Sequence, residues 1–349
     1  MAKPEGFFAT RFSMDRLQGG SFYYPHRRGE KAGEQNARKG TEMRRILALM
    51  LAAMMVFALA ACGQSAPAPS AAPTQEAAPA EEAPAEAAEE ASVPSGVEDG
   101  VLTVAMECAY APYNWTQGDD SNGAVPIKGS TSEFANGYDV MMAKKICEAN
   151  GWELEIVKTD WDSLVPGVQS RTYDAVIAGQ SMTPERAEQV DFAGPYLYAT
   201  IVCLTKADSQ FANAKGISDL AGGSCTSQLA TIWYDTCLPQ IPDANILPGK
   251  DTAPAMLMEL ETGMCDFVCT DMPTAQGAIS TYPDMVLLDF AGSDDDFEVA
   301  DSDVNIGVSV FKGNTVLLDA INAVLEPMSA DDFNAMMAEA IAVQPMSEA

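Results

Sequence analysis

From Val101 to about Pro345 the chain predicts an α/β architecture in two lobes, and three observations carry that expectation. Apolar strand-like runs alternate with segments of helical periodicity, the pattern of parallel sheets covered by helices. The alternation continues for about 250 residues, more than one ordinary core accommodates. Upstream of Gly100, composition excludes a core altogether, so the folded part begins there.

In chain order, LTVAMEC (Leu102 to Cys108) predicts the first strand. GYDVMMAKKICEANG predicts a helix with Asp139 as its N-cap, an apolar face of Val140, Met141, Ala143, Ile146 and Cys147, and an end at Gly151. ELEIVKT (Glu153 to Thr159) predicts a strand, SLVPGVQS a short helix, YDAVIAG a strand and ATIVCLTK (Ala199 to Lys206) another. An ISDL turn follows, then a strand or turn at SCTSQ, a helix from Thr231 and a helix at APAMLMELETG. DFVCTD predicts a strand, TAQGAIS a helix, MVLLDF and NIGVSVF strands, and TVLLDAINAVLEPM a helix. No internal repeat is visible.

The N-terminal third reads differently. MRRILALMLAAMMVFALAACG, from Met43, has the charged, apolar and small-residue regions of a secretory signal in order, ending at Cys62. Its apolar run is short for a transmembrane helix. Leu59-Ala60-Ala61-Cys62 is similar to a lipoprotein lipobox, which makes residues 43–61 a signal peptide and Cys62 a lipidated mature N-terminus. A signal begins near its own charges, so residues 1–42, polar and basic, are expected to be a mis-called extension. Residues 62–100 are dominated by Ala, Pro and Glu and lack aromatics. They predict an extended tether.

Composition excludes whole classes of function. Ten of the 20 basic residues and five of the 50 acidic ones lie in residues 1–45, which leaves a formal charge of −35 from Cys62 onward. Such a surface repels phosphate backbones and argues against nucleic acid as a partner. His26 is the one histidine, so the chain beyond the leader has neither a Ser-His-Asp triad nor an imidazole metal site. Seven cysteines follow Cys62 without a CxxC pair, which argues against zinc. Cys147, Cys203 and Cys225 sit among apolar or small residues as core thiols, while a disulfide at Cys265 or Cys269 stays open.

The chemistry concentrates at predicted strand ends, where open α/β sheets collect ligands. In GQSMTPERAEQVDF, Thr183 predicts a helix N-cap and Pro184 the first helical position. Arg186 then falls in a first helical turn, where the dipole disfavours a cation, so an incoming anion is the natural partner. A guanidinium fork grips a carboxylate with two parallel bonds, and Ser181 and Thr183 add donors around it. The competing reading is an ion pair with Glu185, Glu188 or Asp191. Arg171, the other arginine after Cys62, lies in a turn and reads as a surface charge. Asp271 closes a buried strand before a proline-marked helix, where capping at Thr274 and ligand binding are compatible. Trp161 stands between two aspartates, and composition alone favours a core role for it. Glu107 and Tyr110 leave the first strand, with a solvated carboxylate and a core tyrosine as the plain alternatives. Together these residues offer a positive fork, an isolated carboxylate and an aromatic plate. Those match the carboxylate, ammonium and side chain of a free amino acid.

Three motifs stand in order: GYDVMMAKKI, DWDSLVPGVQSRTYDAVIAGQSMTPERAEQVDFAGPY and DFVCTDMP. Through them the chain from Val101 to about Pro345 resembles the polar-amino-acid extracellular solute-binding proteins (solute-binding family 3) of bacterial ABC importers, of the lipoprotein type. The resemblance implies a two-lobe periplasmic-binding-protein-like fold of type II, its lobes joined by two crossing strands. Lobe 1 would be residues 101–197 and 307–349, and lobe 2 residues 198–306. It implies that Arg186, helped by Ser181 and Thr231, takes the ligand α-carboxylate. Asp271 and the Gly179 backbone would take the ammonium, Trp161 and Tyr110 would flank the side chain, and Glu107 would face its far end, favouring a cationic or polar amino acid.

It further implies a monomer without cofactor, metal or catalytic residue, lipid-anchored on the extracytoplasmic face of the membrane and partnered by permease subunits. Rival readings are a cyclohexadienyl-dehydratase-like enzyme with Glu107 as general acid, and a sensor module. There are departures from the family pattern. Met141 replaces a usual acid, Ala230-Thr231 replaces Gly-Thr, and residues 116–136 form a long insertion that would reshape specificity if it packed over the cleft mouth. Within it, Asp119-Asp120-Ser121-Asn122-Gly123 lacks the ligand spacing of a calcium loop and reads as a solvated turn.

Overall fold

A computed structural model describes residues 93–345 of the 349-residue chain. The expected extension, signal peptide and lipidated Cys62, and the tether up to residue 92, lie outside the described residues. From Ser95 the chain docks on the first lobe: Val97 is buried, and the Asn314 amide donates to the Ser95 carbonyl at 3.0 Å.

Two five-stranded mixed sheets organise the fold. The first runs Glu153–Lys158, Val101–Met106, Ala175–Val176, Asn305–Phe311 and Val190–Tyr198. Its first three strands are parallel, and Asn305–Phe311 is antiparallel to both of its neighbours. The second runs Asn245–Ile246, Ser224–Thr226, Phe267–Asp271, Ile201–Lys206 and Met285–Leu288. Here Ile201–Lys206 is the antiparallel member. The lobes are therefore the α/β layers expected, but neither sheet is wholly parallel. The reason lies in the crossings. The chain leaves the first sheet at Tyr198, enters the second at Ile201 and returns through Val304, and the two connections bond to each other where the Ala199 amide donates to the Val304 carbonyl at 2.8 Å. A strand fed from the other lobe arrives in the opposite sense.

Helices cover the sheets as apolar spacing dictates. Tyr138–Asn150 buries Val140, Met142, Ala143, Ile146 and Cys147, each large aliphatic contributing on the order of 1.5–3 kcal/mol. It ends at Gly151, whose φ of 72° is the left-handed cap that glycine adopts without a Cβ penalty. Its start differs from expectation. Gly137 is the N-cap and Asp139 lies one residue inside the helix, its carboxylate turned into the lobe toward Asn114 and Tyr196. Two buried side-chain donors outcompete the helix's own amides. The helix Ala330–Val343 has no counterpart in the sequence reading, although Ser329 and Asp332 form the capping box that announces it. All seven cysteines from Cys108 onward are buried free thiols.

The insertion extends the turn after the first strand into a small antiparallel sheet of Ala109–Tyr110, Asn114–Gln117, Phe134–Asn136 and Val125–Pro126. Ile127 pairs with Ile156, so the hairpin lies along the outer strand of the first lobe and shields its open edge. It touches the cleft at Lys158, whose ammonium meets Thr116 at 3.0 Å and Glu133 at 3.3 Å.

Candidate functional site

The residues singled out by sequence converge where the two lobes face each other. Glu107 and Tyr110 follow strand Val101–Met106. Between them Cys108 holds a left-handed φ of 54°, which turns the chain so that both side chains enter the cleft. Trp161 opens a short 3-10 turn after strand Glu153–Lys158. Gly179 has a φ of 64°, and a Cβ there would lie 2.8 Å from the Tyr110 ring, so only glycine fits.

Arg186 stands in the short helix Pro184–Ala187, capped by Thr183, whose hydroxyl accepts from the Arg186 amide. Its guanidinium donates to the Ser181 carbonyl and, across the cleft, to the Ala230 carbonyl, both at 2.9 Å. It also lies over the Trp161 ring, 5.3 Å from the centroid. Among the described residues no carboxylate is within ion-pair distance of it, so the alternative pairing with Glu185, Glu188 or Asp191 is not made. Burial pulls the guanidinium down to about 10, which leaves it charged at neutral pH.

Asp271 ends strand Phe267–Asp271, is 0% exposed, and caps the helix Met272–Thr281 by accepting from the Thr274 amide at 2.9 Å and hydroxyl at 3.0 Å. From the first lobe it receives the Tyr110 hydroxyl at 2.5 Å and the Tyr113 hydroxyl at 3.3 Å. Those two rings stack, centroids 4.7 Å apart. Burial raises the Asp271 carboxyl against these bonds.

Six of the eight sequence-selected residues, Tyr110, Trp161, Gly179, Ser181, Arg186 and Thr231, line one narrow pocket, joined by Gln228 and Trp233. Its free volume is about 10 Å³, the limit for one water. Thr231 donates to the Gln228 carbonyl at 2.7 Å, which orders the loop below. Ala230 in that loop has a φ of 55°. A left-handed backbone of this kind is one that glycine adopts without the Cβ penalty alanine carries.

Glu107 opens onto a wider compartment of about 430 Å³, lined also by Lys158, Asp160, Trp161, Asp162, Leu229 and Asp251. It is 6% exposed, and burial pushes it up to about 7, with the Asp160 and Asp162 charges adding to the rise. The Gln228 amide opposes the shift, donating to both carboxylate oxygens at 3.3 Å and to the Asp251 carbonyl at 3.2 Å. Gln228, Asp251 and Tyr113 escaped the sequence reading. Tyr113 shares the MECAYAPYNW motif with Tyr110, but nothing local marks Gln228 or Asp251, whose relevance depends on lobe 1.

Arg186 thus offers donors to an anion and Asp271 acceptors to a cation, beside a wider compartment in which carboxylates outnumber the one lysine. The profile of the bacterial extracellular solute-binding proteins, family 3, matches residues 102–340. The chain belongs to this family. Among curated relatives of this solute-binding protein, the ABC transporter arginine-binding protein 1 of Escherichia coli (strain K12) is 28% identical over 203 residues, 58% of this chain and 79% of that one. An amino acid ABC transporter substrate-binding protein from Streptococcus pneumoniae, solved bound to L-arginine, shares the fold with a TM-score of 0.61. It is 24% identical and aligns over 72% of this chain and 99% of its own. An ancestral amino-acid-binding protein described as a precursor of cyclohexadienyl dehydratase gives a TM-score of 0.57 at 26% identity over 70% of this chain and 97% of its own. Family membership makes this an extracellular binding protein with a two-lobe type II fold. Among the described residues no helix is long and apolar enough to cross a membrane.

Proposed function

We propose that this solute-binding protein is the receptor of an ABC importer and captures an α-amino acid with a cationic side chain between its lobes. The observation that carries the reading is Arg186, a desolvated guanidinium bonded only to carbonyls in one narrow pocket, together with the fully buried carboxylate of Asp271, which Tyr110 of the same pocket holds. A ligand α-carboxylate would replace the Ala230 carbonyl on Arg186, gaining charge-assisted bonds, with Ser181 and Thr231 at its flanks. The α-ammonium would take the Asp271 oxygen now held by the Tyr110 hydroxyl, assisted by the Gly179 backbone. The side chain would pass between Tyr110 and Trp161 into the wider compartment, where Glu107, Asp160, Asp162 and Asp251 outnumber Lys158. Relatives named for arginine support that choice over a neutral polar ligand.

Closure on the ligand is what a permease would recognise, and lipid on Cys62 would hold the monomer at the extracytoplasmic face of the membrane. Binding alone requires no catalytic group. A buried Asp271 carboxylate able to receive an ammonium supports capture over elimination chemistry. Thermal shift of the purified protein against the twenty amino acids, followed by calorimetry, tests the reading. A ligand at a thousandfold excess over Kd stabilises the fold by roughly 4 kcal/mol. Large shifts with arginine and lysine are expected. Silence across the panel overturns the amino-acid reading, and turnover of arogenate or prephenate would establish the enzyme instead. Release of the protein from membranes on Cys62→Ala tests the anchor.

A further inference from the structure

We propose that Asp139, which faces no ligand, is a positioning residue that fixes two ligand-facing segments at once; the inference rests on the amino-acid reading of the cleft. Asp139 is 0% exposed and packed inside lobe 1. One carboxylate oxygen accepts the Asn114 side-chain amide at 2.7 Å, and the other accepts the Tyr196 hydroxyl at 2.7 Å. Each of these side chains then holds a backbone amide of the site. The Asn114 carbonyl accepts from Cys108 N–H at 2.7 Å, and the Tyr196 hydroxyl accepts from Gly179 N–H at 3.0 Å. Both amides belong to residues in the left-handed region, Cys108 at φ 54° and Gly179 at φ 64°. Cys108 is the turn that aims Glu107 and Tyr110, and Gly179 opens the loop that ends in Arg186.

Above about pH 7, where Asp139 is ionised, its carboxylate only accepts, and that fixes the direction of every bond in this relay. It forces the Asn114 amide to point its NH2 inward and its oxygen at Cys108. It also forces the Tyr196 proton inward, leaving the hydroxyl lone pairs for Gly179. An asparagine at position 139 leaves one donor without an acceptor in every orientation. If its oxygen keeps Asn114, its NH2 confronts Tyr196, whose hydroxyl must turn its proton away to accept it. If its oxygen keeps Tyr196, its NH2 confronts the Asn114 NH2. If Asn114 flips to relieve that clash, its own NH2 confronts Cys108 N–H. Exchanging the two residues restores every donor and acceptor. The carboxylate, moved to position 114, would accept from Cys108 N–H and from the amide NH2 now at position 139. The oxygen of that same amide would accept from Tyr196.

The test compares wild type, Asp139→Asn, Tyr196→Phe and the exchange Asp139→Asn with Asn114→Asp. It reads L-arginine Kd by calorimetry, at a temperature where circular dichroism reports folded protein, and amide exchange of residues 107–110 and 178–181. Asp139→Asn is expected to weaken arginine binding about tenfold or more, the worth of a hydrogen bond, and to speed exchange in both segments. The exchange variant is expected to return both readouts to near wild-type values. Folded Asp139→Asn with unchanged Kd and unchanged exchange overturns the proposal, as does an exchange variant that regains melting temperature but not affinity. Should Asp139→Asn fail to fold, Tyr196→Phe carries the test. It is expected to weaken binding and to speed exchange at Gly179 alone, and no change in either overturns the relay. A wild type that binds none of the twenty amino acids overturns the amino-acid reading and this inference together. Binding by wild type with equal binding by the variants overturns the positioning role alone.

Discussion

The two ends of the cleft are built on opposite plans. At the Arg186 end the free volume is about 10 Å³, and each charged group is already bonded to protein: Arg186 to two carbonyls, and Asp271, which Tyr110 joins to that pocket, to two tyrosines and a helix start. At the Glu107–Asp251 end about 430 Å³ is open, and Glu107 holds only two long bonds to Gln228. A site that receives a constant chemical unit gains from rigid, pre-placed groups, because little ordering entropy is lost on binding. A site that receives a variable side chain needs room and long-range charge more than fixed contacts. The narrow end would then set affinity for any amino acid, and the wide end would choose among them.

That division of labour can be broken. Arg186→Ala should weaken every amino-acid ligand by on the order of 2–5 kcal/mol, since a partner charge is left buried and unpaired. Calorimetry with one cationic and one neutral ligand checks this, and a loss confined to the cationic ligand would sink the separation of the two ends. Asp271→Asn should cost roughly 2–3 kcal/mol of affinity, the worth of charged hydrogen bonds. Its melting temperature should fall as well, because asparagine keeps the helix cap but sets an NH2 against the hydroxyl donors on the second oxygen.

At the wide end, Glu107→Gln should weaken arginine by roughly 1–2 kcal/mol and leave neutral ligands unaffected. The same substitution should change the pH profile of stability. Burial holds Glu107 at about 7 when folded, above its ordinary range, so the folded state binds that proton more tightly than the unfolded chain. Its contribution is therefore fully present in acid and is lost as pH rises from the ordinary carboxylate range to about 7. Asp139, pushed by burial to about 7, adds to the same window. Melting temperature should fall over that interval in wild type, and less steeply in the variant. The smallest effect expected is at Ala230, where Ala230→Gly relieves a left-handed backbone and should gain about 0.5–1 kcal/mol in chemical denaturation.

Much of this was legible in sequence because the relevant physics is local. Thr183-Pro184 writes its own helix start, and Gly151 its own helix end. The Asp271 cap also follows from short-range donors and acceptors. Other features escaped for equally physical reasons. Val190–Tyr198 contains Gly194-Pro195 and so lacks the alternation of a strand, yet pairing with Asn305–Phe311 makes it one. Asp139 looks like a cap until Asn114 and Tyr196, distant in sequence, supply stronger donors. Gln228 carries no local signal, because its partner Glu107 lies 121 residues away.

What the sequence alone determined were the α/β periodicity, the strongly acidic charge balance, and the motif that sets Arg186 in a first helical turn. What only the tertiary structure decided was which groups meet across the lobes: Tyr110 on Asp271, Gln228 on Glu107, and Ala230 beneath both Arg186 and Trp161. Periodicity and capping act within a few residues, whereas a cleft is made by side chains that two crossing strands bring together, and no local pattern encodes that juxtaposition.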